Sequence, residues 1–170
     1  QGFSQSDLLD INVIVENCSF DNMTATRGGA IYGYYTKGKL TIDNCNFTNM
    51  DVTWGAVCAY QSAYDGGLNV EISKSIFANN SGNNGAALYV QASYLTMTNC
   101  EVYNNTASQS PGAIYLTNVT ATIDSCKIYD NSALKDASAI AVYAGKISSD
   151  PTVLKPSELT ITNCIIENNT

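Results

Sequence analysis

An outline of eleven residues, written six times along a chain of 170, restricts what this protein can fold into more than any other feature. The segments VIVENCSFDNM, LTIDNCNFTNM, VEISKSIFANN, LTMTNCEVYNN, ATIDSCKIYDN and LTITNCIIENN align on Cys18, Cys45, Ser75, Cys100, Cys126 and Cys164, at steps of 27, 30, 25, 26 and 38 residues. A recurring period of this size belongs to architectures that stack one small unit on the next.

The apolar columns of the alignment say what the unit is. Two residues after the cysteine column stand Phe20, Phe47, Phe77, Val102, Ile128 and Ile166; three before it stand Val15, Ile42, Ile72, Met97, Ile123 and Ile161; five before it stand Val13, Leu40, Val70, Leu95, Ala121 and Leu159. A spacing of two within the first and last pairs of columns is that of strands with one face inward. Between those pairs the phase slips by one residue, which requires a bend. Asn17, Asn44, Lys74, Asn99, Ser125 and Asn163 occupy it. Asn is the non-glycine residue that best tolerates a left-handed backbone, and its amide can bond the backbone of a neighbouring rung. Each unit therefore reads as strand, corner, strand.

A second signature follows each of the first five units: RGGAIY, WGAVCAY, NGAALYV, PGAIYL and DASAIAVY. Ala30, Ala56, Ala87, Ala113 and Ala139 form one column, followed by Ile31, Val57, Leu88, Ile114 and Ile140. Three consecutive small or apolar positions leave open which face of this stretch is buried.

A unit with two or three short β-stretches cannot bury its apolar face alone, but it can when stacked on copies of itself. The expected fold is all-β: a right-handed, single-stranded parallel β-helix of about six rungs, with residues 1–170 forming a single domain. A leucine-rich repeat shares part of the outline, but the residues after the Asn are strand-like and Gly-rich, without helical spacing. The longest step accommodates an inserted loop, 145–158, which Pro151 and Pro156 exclude from a central strand. The last unit stops half a rung in, with no visible cap. The expectation is a segment of a longer stalk, or a subunit whose end docks on the opening residues of the next copy.

The succession NC-x-F-x-N-N followed by G-A-I-Y resembles the chlamydial polymorphic outer-membrane proteins and similar adhesin-like β-helix repeats, marked by FxxN and GGAI. GGAI is intact at Gly28 to Ile31 and FxxN at Phe77 to Asn80; Val102 to Asn105, Ile128 to Asn131 and Ile166 to Asn169 keep its outline, while Met23 and Met50 replace the Asn in the first two units. The resemblance implies a surface-exposed passenger or adhesive stalk and no catalytic residue.

Composition narrows the partners. Eight basic against fifteen acidic residues give a net charge of −7, with Arg27 the single arginine, which disfavours nucleic acid. No apolar run approaches the roughly 20 residues that cross a bilayer, so no membrane insertion is expected. The low charge and abundant Asn, Ser, Thr and Tyr suit an extracellular or cell-surface protein. No motif for a cofactor is present, and without histidine or a CxxC pair no zinc site is expected.

Cysteines stacked in register would point the same way, with Cβ atoms near 4.8 Å, wider than the usual disulfide separation of about 3.8 Å. Cys18, Cys45, Cys100, Cys126 and Cys164 are therefore expected to form an inward ladder of free thiols, whereas Cys58 lies in another column without an evident partner. Seven N-x-S/T sequons begin at Asn17, Asn22, Asn46, Asn79, Asn104, Asn118 and Asn168. Asn22, Asn79, Asn104 and Asn168 share one position, four after the cysteine column, where a turn could carry a row of glycans, or where Asn and Ser/Thr simply suit the turn. Asn46 and Asn118, the latter in the loop LTNVT, are the other acceptors expected; Asn17, placed facing inward at its corner, is the poorest.

Catalysis, if present, would use Glu16 and Asp43, outward neighbours on adjacent rungs, with Asp124 three rungs beyond Asp43. Such carboxylates are more often solvated surface than a glycosidase pair. Eleven tyrosines, among them Tyr34, Tyr35, Tyr60 and Tyr64 in predicted loops, either stack between rungs or offer faces to sugars or another subunit. The expected function is structural and non-catalytic: a glycosylated extracellular filament or stalk subunit stacked end to end on copies of itself. The alternative is an adhesin segment binding a surface glycan.

Overall fold

The computed structural model describes residues 9–34, 36–60, 67–109, 111–147 and 150–170. Its coils are set by their corners. The residue before each cysteine column is left-handed, with φ of 55° at Asn17, 52° at Asn44, 48° at Lys74, 53° at Asn99, 54° at Ser125 and 53° at Asn163. A second left-handed column follows five residues later, at Asn22, Asn49, Asn79, Asn104, Asp130 and Asn168, with φ between 53° and 57°. Three glycines, Gly28, Gly55 and Gly85, take the same conformation at a third corner.

These corners cut each coil into four strands rather than the two or three that the alignment implied. The third coil shows the pattern: Leu68–Ser73, Ile76–Ala78, Ser81–Asn84 and Leu88–Gln91. Equivalent strands of successive coils pair in parallel into four sheets, A to D in that order; A and B have six strands, C and D five. The result is a parallel β-helix of five four-stranded coils and a sixth represented by Glu158–Thr162 in sheet A and Ile165–Glu167 in sheet B.

The register is the one the alignment demanded. Val13, Leu40, Val70, Leu95, Ala121 and Leu159 face one another in succession along sheet A, as do Val15, Ile42, Ile72, Met97, Ile123 and Ile161. Sheet B stacks Phe20, Phe47, Phe77, Val102, Ile128 and Ile166. The three phenyl rings lie parallel inside the coil with centroids 5.1 and 4.7 Å apart. In sheet D the face left open by the sequence is resolved: Val57, Leu88 and Ile114 join the core, with Ile31 and Ile140 packed against it, and the tyrosine column points outward.

Two corners turn polar groups inward, a feature the apolar columns do not signal. After the second left-handed residue comes Asn80, Asn105, Asn131 or Asn169, buried in the first three cases. Asn80 Oδ1 accepts the Met50 backbone N–H, and the side-chain oxygens of the other three each accept two hydrogen bonds from the coil before. Asn105 Oδ1 takes the Asn80 backbone N–H at 3.1 Å and the Asn80 Nδ2 at 2.9 Å; Asn131 and Asn169 do the same for Asn105 and Asn131. The amide nitrogens donate in turn to the carbonyls of Phe47, Phe77, Val102 and Ile128. A buried polar chain is tolerated only when every member is paired, and here the pairing is continuous.

The cysteine column performs the same service at the other corner. The backbone N–H groups of Cys45, Cys100 and Cys126 donate to Ser75 Oγ, Cys126 Sγ and Cys164 Sγ, at 3.0, 3.4 and 3.3 Å. The corner asparagine that precedes it acts differently from expectation: Asn44 Nδ2 donates to the side-chain Oδ1 of Asn17 at 2.7 Å, outside the coil, instead of to backbone. Asn17 is accordingly exposed, not inward.

The insertion of residues 145–158 is a hairpin rather than a bare loop. Gly145–Ile147 pairs antiparallel with Asp150–Lys155, and Glu158 already belongs to sheet A. Pro151 sits in this two-stranded element, outside the parallel ladders, so the backbone N–H that a proline lacks is not missed there.

Candidate functional site

The outer face of sheet D carries the column Tyr32, Cys58, Tyr89, Tyr115 and Ala141, and beside it Tyr34, Tyr60, Gln91, Thr117 and Tyr143. Cys58, like Ala141, is a small member of the column, and it makes room. Alternation points its side chain away from the core formed by Val57 and Ala59, yet it is 0% exposed. The rings of Trp54, Tyr60 and Tyr89 gather around this position: Trp54 stacks on Tyr60 at 5.5 Å and on Tyr89 at 5.1 Å. Burial pushes the Cys58 thiol up to about 12, so it stays protonated.

From there a ribbon of rings runs along the axis. Tyr89 and Tyr115 are parallel at 4.5 Å, and Tyr115 meets Tyr143 at 5.1 Å. Toward the first coil Tyr60 stacks on Tyr34 at 5.7 Å, and Tyr34 on Tyr32 at 5.5 Å. Stacking between coils thus covers most ring faces, while Tyr32 and Tyr34 remain 37% and 41% exposed. Tyr34 and Tyr60 lie on strands, contrary to the loop placement expected for them; Tyr35 and Tyr64 fall outside the described residues.

Arg27 closes this end of the ribbon. Its guanidinium lies 4.5 Å above the Trp54 ring and 5.6 Å from that of Tyr60, and it donates to the Tyr32 hydroxyl at 3.3 Å. No carboxylate reaches it among the described residues.

The candidate catalytic carboxylates are held otherwise. Glu16 and Asp43 are register partners in sheet A. The Ser73 hydroxyl at 2.6 Å, with Lys74 at 3.3 Å, keeps Asp43 below the usual carboxylate range, so it is not a proton donor at neutral pH. Asp124 accepts from Thr162 Oγ1 at 2.5 Å, Asn163 Nδ2 at 2.8 Å and Ser125 Oγ at 2.9 Å, and is lowered for the same reason.

The sequon asparagines divide by environment. Asn22, Asn79, Asn104 and Asn168 are exposed at left-handed corners, and Asn46 is exposed on sheet B. Asn118 is 6% exposed, and its side-chain oxygen has no hydrogen-bond partner among the described residues; a glycan stem has no room there, so the placement of LTNVT as an open loop is corrected. Of the cysteine column, Cys45, Cys100 and Cys126 are buried, Cys164 is half-buried and Cys18 is exposed at the first coil. All are free thiols, and the Cys126 sulfur together with burial pushes the Cys100 thiol far up.

Among the described residues no helix is long and apolar enough to cross a membrane, and no three acidic or thiol side chains converge as a metal site. Comparison with curated proteins and with solved structures gave no match. The model of the family described as "Right handed beta helix region" matches residues 6–170, in agreement with the four parallel sheets. The chain therefore belongs to the right-handed β-helix family.

Proposed function

We propose that this chain is a non-catalytic structural solenoid of the extracellular space or cell surface, a stalk or filament unit that grows by end-to-end stacking of coils on copies of itself. The observation that carries the reading is the state of the two outermost coils. Val13 is 39% exposed, Ile161 40% and Ile166 44%, whereas their inward register mates Leu40, Ile123 and Ile128 are at 2%, 0% and 0%. These side chains belong to inward columns that no further coil covers among the described residues. Among the described residues the outer strands of sheets A and B have one neighbour each, and burial of apolar side chains together with edge pairing favours another β-coil over water.

The exposed sequons support the extracellular placement, with Asn22, Asn79, Asn104 and Asn168 along one corner. The resemblance to polymorphic outer-membrane repeats points the same way. Sedimentation velocity across a hundredfold dilution tests the assembly. Elongated species should lengthen with concentration, and Ile166→Arg should abolish them while the protein stays folded. A compact monomer at every concentration would overturn the reading.

A second reading, an adhesin segment that binds a surface glycan, is favoured by one observation: the exposed rings of Tyr32 and Tyr34 beside an arginine that has no acidic partner among the described residues.

A further inference from the structure

The position of Arg27 makes the glycan-adhesin reading specific, and the inference drawn from it rests on that reading. Arg27 is the single arginine of a chain with net charge −7, and the three salt bridges among the described residues all use lysines. An exposed arginine in an acidic protein ordinarily finds a carboxylate. This one is instead spread on Trp54 at 4.5 Å and Tyr60 at 5.6 Å and spends a single N–H on the Tyr32 hydroxyl. Aromatic contact fixes the plane of the guanidinium without neutralising it, so most of its donors stay available in a fork suited to a planar anion.

Two further features flank it. Tyr32 has one ring neighbour, Tyr34, among the described residues, and both side chains are partly exposed. Arg27 also ends the strand Thr24–Arg27, whose Thr24 and Thr26 line an open groove of about 460 Å³ with Asp51, Thr53 and Asn83. Hydroxyl, amide and carboxylate groups of this kind match the hydroxyls of a sugar, and the exposed part of a tyrosine ring matches its C–H face. Asp51 repels an anion, which places the charged group at the Arg27 end and sugar hydroxyls toward Asp51.

We propose that the corner formed by Arg27, Tyr32 and Tyr34 is a binding site for an acidic saccharide, its carboxylate or sulfate held by the Arg27 guanidinium. The two anions share the recognition chemistry and are separated by the probes used.

Calorimetric titration of the folded chain with an oligogalacturonate, a sulfated oligosaccharide of equal length and a neutral oligogalactose provides the test. The acidic probes should bind, more weakly as salt rises, and the neutral one should not. Arg27→Ala should weaken acidic binding about tenfold or more, as expected for loss of a charge-assisted hydrogen bond. Tyr32→Phe, which keeps the ring, should retain most of it. The stronger of the two acidic probes identifies the anion. Equal binding of neutral and acidic probes, unchanged in Arg27→Ala, overturns the proposal and leaves the glycan-adhesin reading standing. If no probe binds, both fall. A change in self-association on Arg27→Ala, without saccharide binding, makes the partner a carboxylate of a second copy and likewise overturns the proposal. Thermal melting of each variant guards against a folding artefact, and the salt dependence of the unmodified chain stands even if one variant fails.

Discussion

The most informative residues are those whose side chains finish the backbone of the coil before. Asn105 Oδ1 accepts two hydrogen bonds from Asn80, while Asn105 Nδ2 serves Phe77 and Tyr103 carbonyls and Asn131 Oδ1. Asn105→Ala leaves several buried groups unpaired and is expected to cost about 3 kcal/mol or more in chemical denaturation; a loss under about 1 kcal/mol would show that the ladder is not required. The thiols follow from burial: Cys18 should react with a thiol reagent in the native protein, while Cys45, Cys58, Cys100 and Cys126 should react only after unfolding. Rapid native labelling of the buried four would contradict the packing. The outward carboxylates set a pH dependence. Asp21, held down by Thr48 and Asn49, and likewise Asp43 and Asp124, have folded values below the ordinary 3.8. Their contribution is present above the unfolded pKa and lost as pH falls through the folded one, so thermal stability should be flat above about pH 5 and decline below about pH 4. A stability that rises on acidification would have the wrong sign.

At the scale of the element, the corners explain what could and could not be read from the sequence. The strand, corner and strand around each cysteine were legible because the period of two and its slip are both printed in the apolar columns, and Asn17 to Asn163 took the left-handed backbone expected of them. The strand after the second asparagine was not legible. It is short, as in Thr106–Ala107, and apart from Val52 its inward residues, Ala25, Gly82, Ala107 and Ala133, are small, so it shows no clear apolar alternation. The same asparagines stood in plain view within FxxN, but a buried polar column looks like a turn until the coils are stacked. Facing in sheet D was hidden by the run of Ala, Ile and Tyr, and the burial of Cys58 depends on Trp54, which arrives from another sheet. Asn118 sat in an apparent loop, yet Gly145 at the base of the hairpin is packed so closely that a Cβ there would lie 2.6 Å from the Asn118 Cβ. The third corner gives a direct test. Gly85 has φ of 56°, and a Cβ would come within 2.3 Å of the Leu88 carbonyl oxygen. Gly85→Ala should therefore lower stability by roughly 1–3 kcal/mol, where an unstrained glycine replacement would raise it.

For the whole molecule, the repeat makes stability a matter of neighbours. Each coil finishes the one before it, through sheet pairing, the phenyl and tyrosine stacks, and the two polar ladders, so a coil gains its full share only when both sides are covered. In the sixth coil the N–H groups of Cys164 and Asn169 have no side-chain acceptor of the kind that serves Cys126 and Asn131, among the described residues. The proposed stalk covers such groups with the next coil; Arg27, Tyr32 and Tyr34 belong to the first coil, so saccharide binding there and stacking at that end compete for one surface. Electron microscopy of the native protein measures the central claim most directly. Rods whose β-layers, about 4.8 Å apart, continue unbroken from one unit into the next are the predicted result; isolated particles only five to six coils long, at every concentration, would contradict it.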